Sequence, residues 1–319
     1  MLGMHPAMGW VALHAVAIVS ALLAAFWAAV GIVVRQRVAR GVPDDKAMSP
    51  TMATTLVREP LWWAGTLAAV AGYVFQALAL AHGSLLLVQP LLVSSLLFAL
   101  PMSARLCQQR ISWADWGWAT LLTAALAVFV LVGQPREGHN RAPVPAWTIA
   151  LMLTVPLVIV CVAAARRAAG RPRAMLLAVP VAVLLGMIAV LTKICTHRFA
   201  VAGWQGLLTV PALYVLVGLA VALTVVQQAA FHAGALQASV PIMLVGEPIV
   251  AVVLGVVVLG EHLAVRGSGA LVLTVAVAAM AAAAIALGRD EAAGASLPAQ
   301  RQPPLEPMTA ARARIGDSA

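Results

Sequence analysis

Long apolar runs alternate with short polar gaps along this chain. A helix rises about 1.5 Å per residue, so about 20 apolar residues cross the roughly 30 Å hydrocarbon layer of a bilayer. Nine runs reach this length, over residues 10–34, 61–81, 84–106, 114–134, 146–165, 174–195, 207–232, 237–259 and 267–288. The pattern predicts an all-α polytopic membrane protein with about nine transmembrane helices.

The composition agrees with a bilayer environment. Hydrophobic residues make up 63% of the 319 residues, charged residues 10%, and the mean hydropathy is +0.98. A water-soluble fold of this length cannot bury so much apolar surface, so the lipid bilayer is the expected partner. The net charge of +9 does not indicate nucleic-acid binding, because the basic residues lie between apolar runs and form no stripe with aromatic residues.

Lys and Arg are distributed unevenly between the two sides of the predicted membrane. Fifteen of the 20 lie within 35–58, 105–110, 166–173 and 289–314, whereas five lie within 136–141 and 193–198 and at 266. Cytoplasmic loops carry the excess of positive charge. We therefore expect a multi-pass protein of the inner cell membrane, with its N-terminus outside and its C-terminus in the cytoplasm. The composition of 289–319, rich in Ala, Pro and Arg, predicts a disordered cytoplasmic tail.

The two halves of the chain share an internal repeat. The matching residues, each 151 positions apart, are Gln76 and Gln227, Gly83 and Gly234, and Pro90 and Pro241. The repeat divides the chain into a first unit over 1–134 (helices 1–4), a linking helix 5 with its loops over 135–173, and a second, inverted unit over 174–288 (helices 6–9). Inverted repeats are common in secondary transporters, because two similar bundles can alternate access to one midplane site.

Particular residues of both halves carry a resemblance to a transporter superfamily. The second half contains Pro241, the run Glu247-Pro248-Ile249-Val250-Ala251, Leu259-Gly260-Glu261 and Gly267-Ser268-Gly269-Ala270. It resembles the carboxyl half of EamA-type carriers of the drug/metabolite transporter (DMT) superfamily. The first half contains Trp62-Trp63, Gly65, Gln76-Ala77, Ser84-Leu85 and Val88-Gln89-Pro90-Leu91. It is similar to the nine-helix magnesium-transporter-like (NIPA-like) branch of that superfamily. The resemblance implies a transporter fold without naming a solute.

Glu247 is the acidic residue placed deepest in an apolar run. A carboxyl group near the bilayer centre is unfavourable by roughly 2.5–3.5 kcal/mol on insertion scales, so such a residue is expected to face the bundle interior or a wet cavity. Pro248 removes one backbone donor and frees a carbonyl in the preceding turn. Glu247 could therefore exchange a proton or hold a cationic solute. The alternative is a protonated carboxyl group that hydrogen-bonds to a neighbouring helix and serves packing.

Other polar side chains in the predicted helices are candidates to line a solute path. They are Tyr73, Gln76, Gln89, Ser94, Ser95, Gln227 and Gln228. Amides inside a membrane need hydrogen-bond partners, and they can equally serve to hold helices together. Pro90, Pro241 and Pro248 are expected to bend the helices that contain them.

The remaining reactive groups suggest no enzyme. The sequence has no Walker loop, no HExxH and no GxSxG, and its three cysteines are too widely spaced for a metal site. We expect free thiols, no catalytic residue, no bound metal and no cofactor. Glu261, His262 and Arg266 follow the eighth predicted helix, and we expect them to be exposed.

These observations favour a secondary transporter of a small metabolite or drug-like solute, with proton coupling through Glu247 as one option. A magnesium or divalent-cation transporter is the first alternative, since hydrated Mg²⁺ can be held by one or two carboxylates. A non-transporting membrane assembly or lipid-handling protein is the second. A monomer and a homodimer both remain open as the active unit.

Overall fold

The computed structural model describes residues 10, 14–40, 60–106, 111–138, 143–232, 236–265 and 269–295. Ten helices account for most of them. They are α1 (Ala15–Arg40), α2 (Pro60–His82), α3 (Leu85–Leu92), α4 (Ser95–Leu106), α5 (Trp113–Gly133), α6 (Val144–Arg167), α7 (Arg171–Leu208), α8 (Pro211–His232), α9 (Leu236–Leu259) and α10 (Gly269–Ala295). Within the described ranges, the sheet content is one antiparallel pair of two-residue strands, β1 (Pro135–Arg136) and β2 (His262–Leu263). The all-α class is confirmed.

The helices match the apolar runs. Eight stretches are long and apolar enough to cross a membrane, with α3 and α4 counted together, and α8 contributes a shorter apolar stretch, Pro211–Gln227. Many large apolar side chains on these helices face outward, for example Leu67, Met152 and Leu271, which are 66%, 72% and 74% exposed. Outward apolar faces on this scale require a lipid environment. The chain is a multi-pass membrane protein.

Consecutive crossings run in opposite directions, which defines two sides. The turn at Gly83 and the connections 134–138, 209–210 and 260–265 lie on one side, which we call the Gly83 side. The connection 168–170 lies on the opposite side, which we call the Gly170 side. On the Gly83 side, the pairing of β1 with β2 ties the end of α5 to the end of α9.

The third crossing is interrupted between α3 and α4. The Val93 amide donates to the Pro90 carbonyl at 3.2 Å, and the Ser94 amide donates to the Leu91 carbonyl at 3.0 Å. These bonds span three residues instead of the usual four, so the helix tightens just after Pro90. In contrast, α9 continues without interruption from Leu236 to Leu259 although it contains Pro241 and Pro248.

The helix that forms the sixth crossing is longer than predicted. The polar residues after Leu191 end the apolar run near residue 195, but α7 continues to Leu208. The prediction ended too early because polar residues end an apolar run without ending a helix. Gly203 interrupts α7 with φ of 61°, a left-handed conformation that glycine adopts at little cost. At the other end of the chain, α10 continues to Ala295, seven residues into the predicted tail, and 296–319 lie outside the described residues.

Small residues bring the helices close together. α1 presents buried alanines, among them Ala24 and Ala29, and it packs along α2. A β-carbon on Gly72 of α2 would lie 3.2 Å from the Ala28 amide nitrogen of α1. α7 and α9 also approach closely, because a β-carbon on Gly186 would lie 2.6 Å from Val250 Cγ1. In a membrane, close backbone approach of this kind supplies van der Waals contact between helices.

Replacing Gly186 by valine is expected to destabilise the bundle. The new side chain would overlap Val250, and overpacking of a tight interface typically lowers the free energy of unfolding by about 1–3 kcal/mol. The measurement is equilibrium unfolding in mixed micelles followed by tryptophan fluorescence. Gly218→Val is the matched control, since a β-carbon on Gly218 meets nothing within 4 Å. Equal stability of the two variants would contradict the close α7–α9 contact.

Candidate functional site

A cavity of about 330 Å³ lies at mid-depth between α1, α2, α3, α4, α7, α8 and α9; we call it the central cavity. Its small wall residues include Ala24, Ala28 and Gly72, which leave room between the helices. Its polar residues are Tyr73, Gln76, Gln89, Ser95, Gln227 and Glu247. The volume falls within the roughly 300–1,000 Å³ that small-molecule sites occupy. Six of the sequence-predicted polar candidates therefore line one cavity.

Glu247 lies near the middle of α9 and is partly buried. It lines the central cavity together with Pro248. Among the described residues, none forms a hydrogen bond or an ion pair with Glu247. Its position matches the expectation of an intramembrane carboxyl group that faces a cavity rather than lipid.

Three glutamines line the central cavity from three helices. Gln76 of α2 and Gln227 of α8, which the predicted repeat pairs, both line the cavity. Gln89 of α3 is 1% exposed, and its Nε2 has no hydrogen-bond acceptor among the described residues. A buried amide donor without an acceptor costs roughly 1–3 kcal/mol.

The remaining candidates are placed differently. Ser95 lines the central cavity, whereas the Ser94 hydroxyl donates to the Leu91 carbonyl at 2.6 Å and supports the break between α3 and α4. Tyr73 is 64% exposed and lies at the lipid-facing edge of the cavity. Pro90 is buried within α3. The side chains of Gln228 and Pro241 lie outside the described residues.

A buried charged pair, not predicted from the sequence, lies on the Gly83 side. Glu261 is 1% exposed, so the expectation that it is exposed was wrong. Gly260, with φ of 64°, ends α9 in a left-handed conformation, and the Glu261 amide then donates back to the Gly255 carbonyl at 3.1 Å. This turn directs the Glu261 side chain into the bundle, where Lys193 Nζ of α7 contacts Oε1 at 2.7 Å.

Backbone groups complete the surroundings of this pair. Glu261 Oε1 accepts a hydrogen bond from the Leu85 amide at 2.9 Å, and Oε2 accepts one from the Leu86 amide at 3.0 Å. Lys193 Nζ also donates to the Gly83 carbonyl at 2.9 Å. The carboxylate therefore caps the N-terminus of α3, where the helix dipole favours negative charge. Two sequence signals could have indicated the pair: a lone lysine within an apolar region, and an acid directly after a helix-ending glycine.

The Lys193–Glu261 pair joins elements of both halves of the chain on the Gly83 side. Between it and the central cavity lies a layer of tightly packed apolar residues, which we call the apolar layer. It comprises Leu80, Leu85, Leu254, Val258 and Leu259, each at most 2% exposed. The central cavity is therefore separated from the Gly83 side by apolar packing and a buried ion pair.

The cysteines and possible metal ligands among the described residues were compared with the expectations from the sequence. Cys161 and Cys195 are free thiols, and Cys107 lies outside the described residues. The described residues contain no group of three or more His, Cys, Asp and Glu side chains that could hold a metal ion.

Fold and site together define a polytopic α-helical membrane protein with a polar cavity at mid-depth. The chain is 36% identical, over 273 residues, to an uncharacterized protein of Corynebacterium glutamicum; the match covers 86% of this chain and 94% of that protein. The chain belongs to the same family as this protein. No family model matches the sequence, and no solved structure matches it.

Proposed function

We propose that this protein is a secondary transporter that carries a small polar solute through the central cavity. The observation that supports this most directly is the buried Gln89 amide, whose Nε2 has no acceptor among the described residues and whose side chain lines the central cavity together with a carboxyl group. A group retained only to join helices would be expected to have its partner in the protein. A solute oxygen would supply the acceptor. The resemblance to EamA-type carriers of the DMT superfamily supports the same function.

Each polar group has a role in this proposal. Gln89 donates to an acceptor on the solute, and the Gln76 and Gln227 amides contact the solute from the two repeats. Glu247 exchanges a proton or attracts a positively charged group, because it is the sole carboxyl group among the residues that line the cavity. Proton release and uptake at Glu247 would couple solute movement to the proton gradient.

In this proposal the structure represents a conformation that is closed toward the outside. With the N-terminus outside, as the distribution of Lys and Arg predicts, the Gly83 side is the outer side of the inner membrane. The apolar layer and the Lys193–Glu261 pair then close the central cavity toward the outside. Outward opening would require α3 and α9 to separate there.

Narrowing the central cavity is the test of the solute path. Ser95→Phe places a bulky side chain in the cavity, and we expect solute-dependent flux to fall to the level of empty vesicles. The measurement uses the purified protein in proteoliposomes with an internal pH dye and radiolabelled solutes. The panel covers amino acids, nucleosides, sugars, organic cations and magnesium.

Val217→Phe is the matched control, because Val217 is 54% exposed on α8 and does not line the cavity. It should transport at the wild-type rate. Both variants must elute as monodisperse species. Wild-type flux through Ser95→Phe would show that solutes do not pass through the central cavity. Absence of flux of every solute with the wild-type protein would contradict the proposed function.

A further inference from the structure

A second cavity, of about 690 Å³, lies between α6, α7 and α8 on the Gly83 side. It is separate from the central cavity, and the two share no lining residue. Its walls are mainly apolar and include Trp147 of α6, Leu191 and Ile194 of α7, and Val215 of α8. Its polar lining residues are His197, Arg198 and Thr209.

Arg198 has no counter-charge in the described part of the chain. The salt bridge found there joins Lys193 to Glu261, and Arg198 forms no hydrogen bond or ion pair with a described residue. The side chain is nevertheless partly buried beside an apolar surface. A cation beside an apolar surface attracts an anion more strongly than a fully hydrated one does, because fewer water molecules screen it.

The break in α7 builds the polar end of this cavity. Gly203 turns the chain with φ of 61°, and the turn brings Gly206 against Ala202 and returns the chain to α8 at Pro211. Thr209 and Val210, which follow the break, line the same cavity as Arg198. Arg198, shortly before the break, and Thr209, directly after α7, therefore lie toward the Gly83 side of this cavity, and the apolar wall extends from them along α6 and α7 into the membrane.

We propose that this cavity binds an anionic phospholipid of the adjoining leaflet. The phosphate contacts Arg198 and His197, and an acyl chain lies along the apolar wall. The positive charge of Arg198 selects an anionic headgroup. Arg198 lies near the end of a membrane crossing, and this depth matches the level of the lipid phosphates. This inference does not depend on the proposed transport function.

The test measures the thermal unfolding midpoint of the full chain in detergent after addition of lipid. Phosphatidylglycerol and phosphatidylcholine with identical acyl chains are compared, with native mass spectrometry to count retained lipids. We expect phosphatidylglycerol to raise the midpoint more than phosphatidylcholine does and to remain bound as a single copy. Arg198→Gln should lose the difference between the lipids, and Arg198→Lys should keep most of it. Arg136→Gln, which removes an exposed arginine of the same side, should behave as wild type.

Two further measurements distinguish binding of a phospholipid from binding of a soluble phosphate compound. Val215→Trp fills the apolar wall and should abolish retention of the lipid while Arg198 is intact. Glycerol 3-phosphate, which has no acyl chain, should leave the midpoint unchanged. The proposal is overturned if Arg198→Gln keeps the wild-type response, if phosphatidylcholine is as effective as phosphatidylglycerol, if Val215→Trp retains lipid, or if glycerol 3-phosphate alone reproduces the stabilisation.

Discussion

Glu261→Gln should lower the free energy of unfolding by about 3–5 kcal/mol, the usual effect of removing one member of a buried ion pair. The substitution leaves the Lys193 ammonium group buried without its counter-charge. It also places an amide NH₂ group where one carboxylate oxygen now accepts hydrogen bonds from α3 or Lys193. Lys193→Met should destabilise for the converse reason, because it leaves the Glu261 carboxylate with the two α3 amides only. Equilibrium unfolding in mixed micelles measures both effects.

A control variant and a double variant distinguish the effect of breaking the ion pair from the effect of removing any single charge. Glu137→Gln removes an exposed carboxylate on the same side and should change stability little, since exposed charges contribute about 0–1 kcal/mol. In Lys193→Met/Glu261→Gln no unpaired charge remains, so the combined loss should be smaller than the sum of the two single losses. Additive losses would show that the two side chains act independently, and a Glu261→Gln variant as stable as Glu137→Gln would refute the structural role of the pair.

Glu247→Gln should abolish solute-dependent proton flux in proteoliposomes and reduce it to the level of empty vesicles. Glutamine has nearly the same shape and can still hydrogen-bond, but it cannot take up or release a proton at the pH of the experiment. Exchange of unlabelled for labelled solute needs no net proton movement, so exchange should continue. The pH dye reports proton flux, and radiotracer counterflow reports exchange in the same vesicles.

The free energy of unfolding distinguishes a role of Glu247 in proton coupling from a purely structural role. If Glu247 is a transport group, Glu247→Gln should unfold at the same free energy as the wild type or a higher one, because burying an amide is less unfavourable than burying a carboxylate. If Glu247 only joins helices, the variant should lose stability and keep its proton flux. Glu137→Gln again serves as the exposed control. Wild-type proton flux in Glu247→Gln would exclude Glu247 as the coupling group.

Periodic features of the chain were sufficient to predict the helices and several cavity residues. Runs of about 20 apolar residues identify membrane crossings because the bilayer demands that length and internal hydrogen bonding. The depth of Glu247 within its run predicted a position facing the interior, since lipid exposure of a carboxyl group is unfavourable. The repeat predicted that Gln76 and Gln227 are equivalent, and both line the central cavity.

Other features depended on contacts between residues far apart in the chain. Glu261 has the sequence context of an exposed loop acid, and only the packing of α3, α7 and α9 places it against Lys193 and the Leu85 and Leu86 amides. The continuation of α7 to Leu208 also had no signal in the apolar run, because that run ends at polar residues that are nevertheless compatible with a helix. The sequence by itself determined which segments enter the membrane, since that depends on the local transfer of side chains into lipid. The tertiary structure decided which polar groups are satisfied within the protein and which remain available to a ligand, since that depends on partners supplied by other helices.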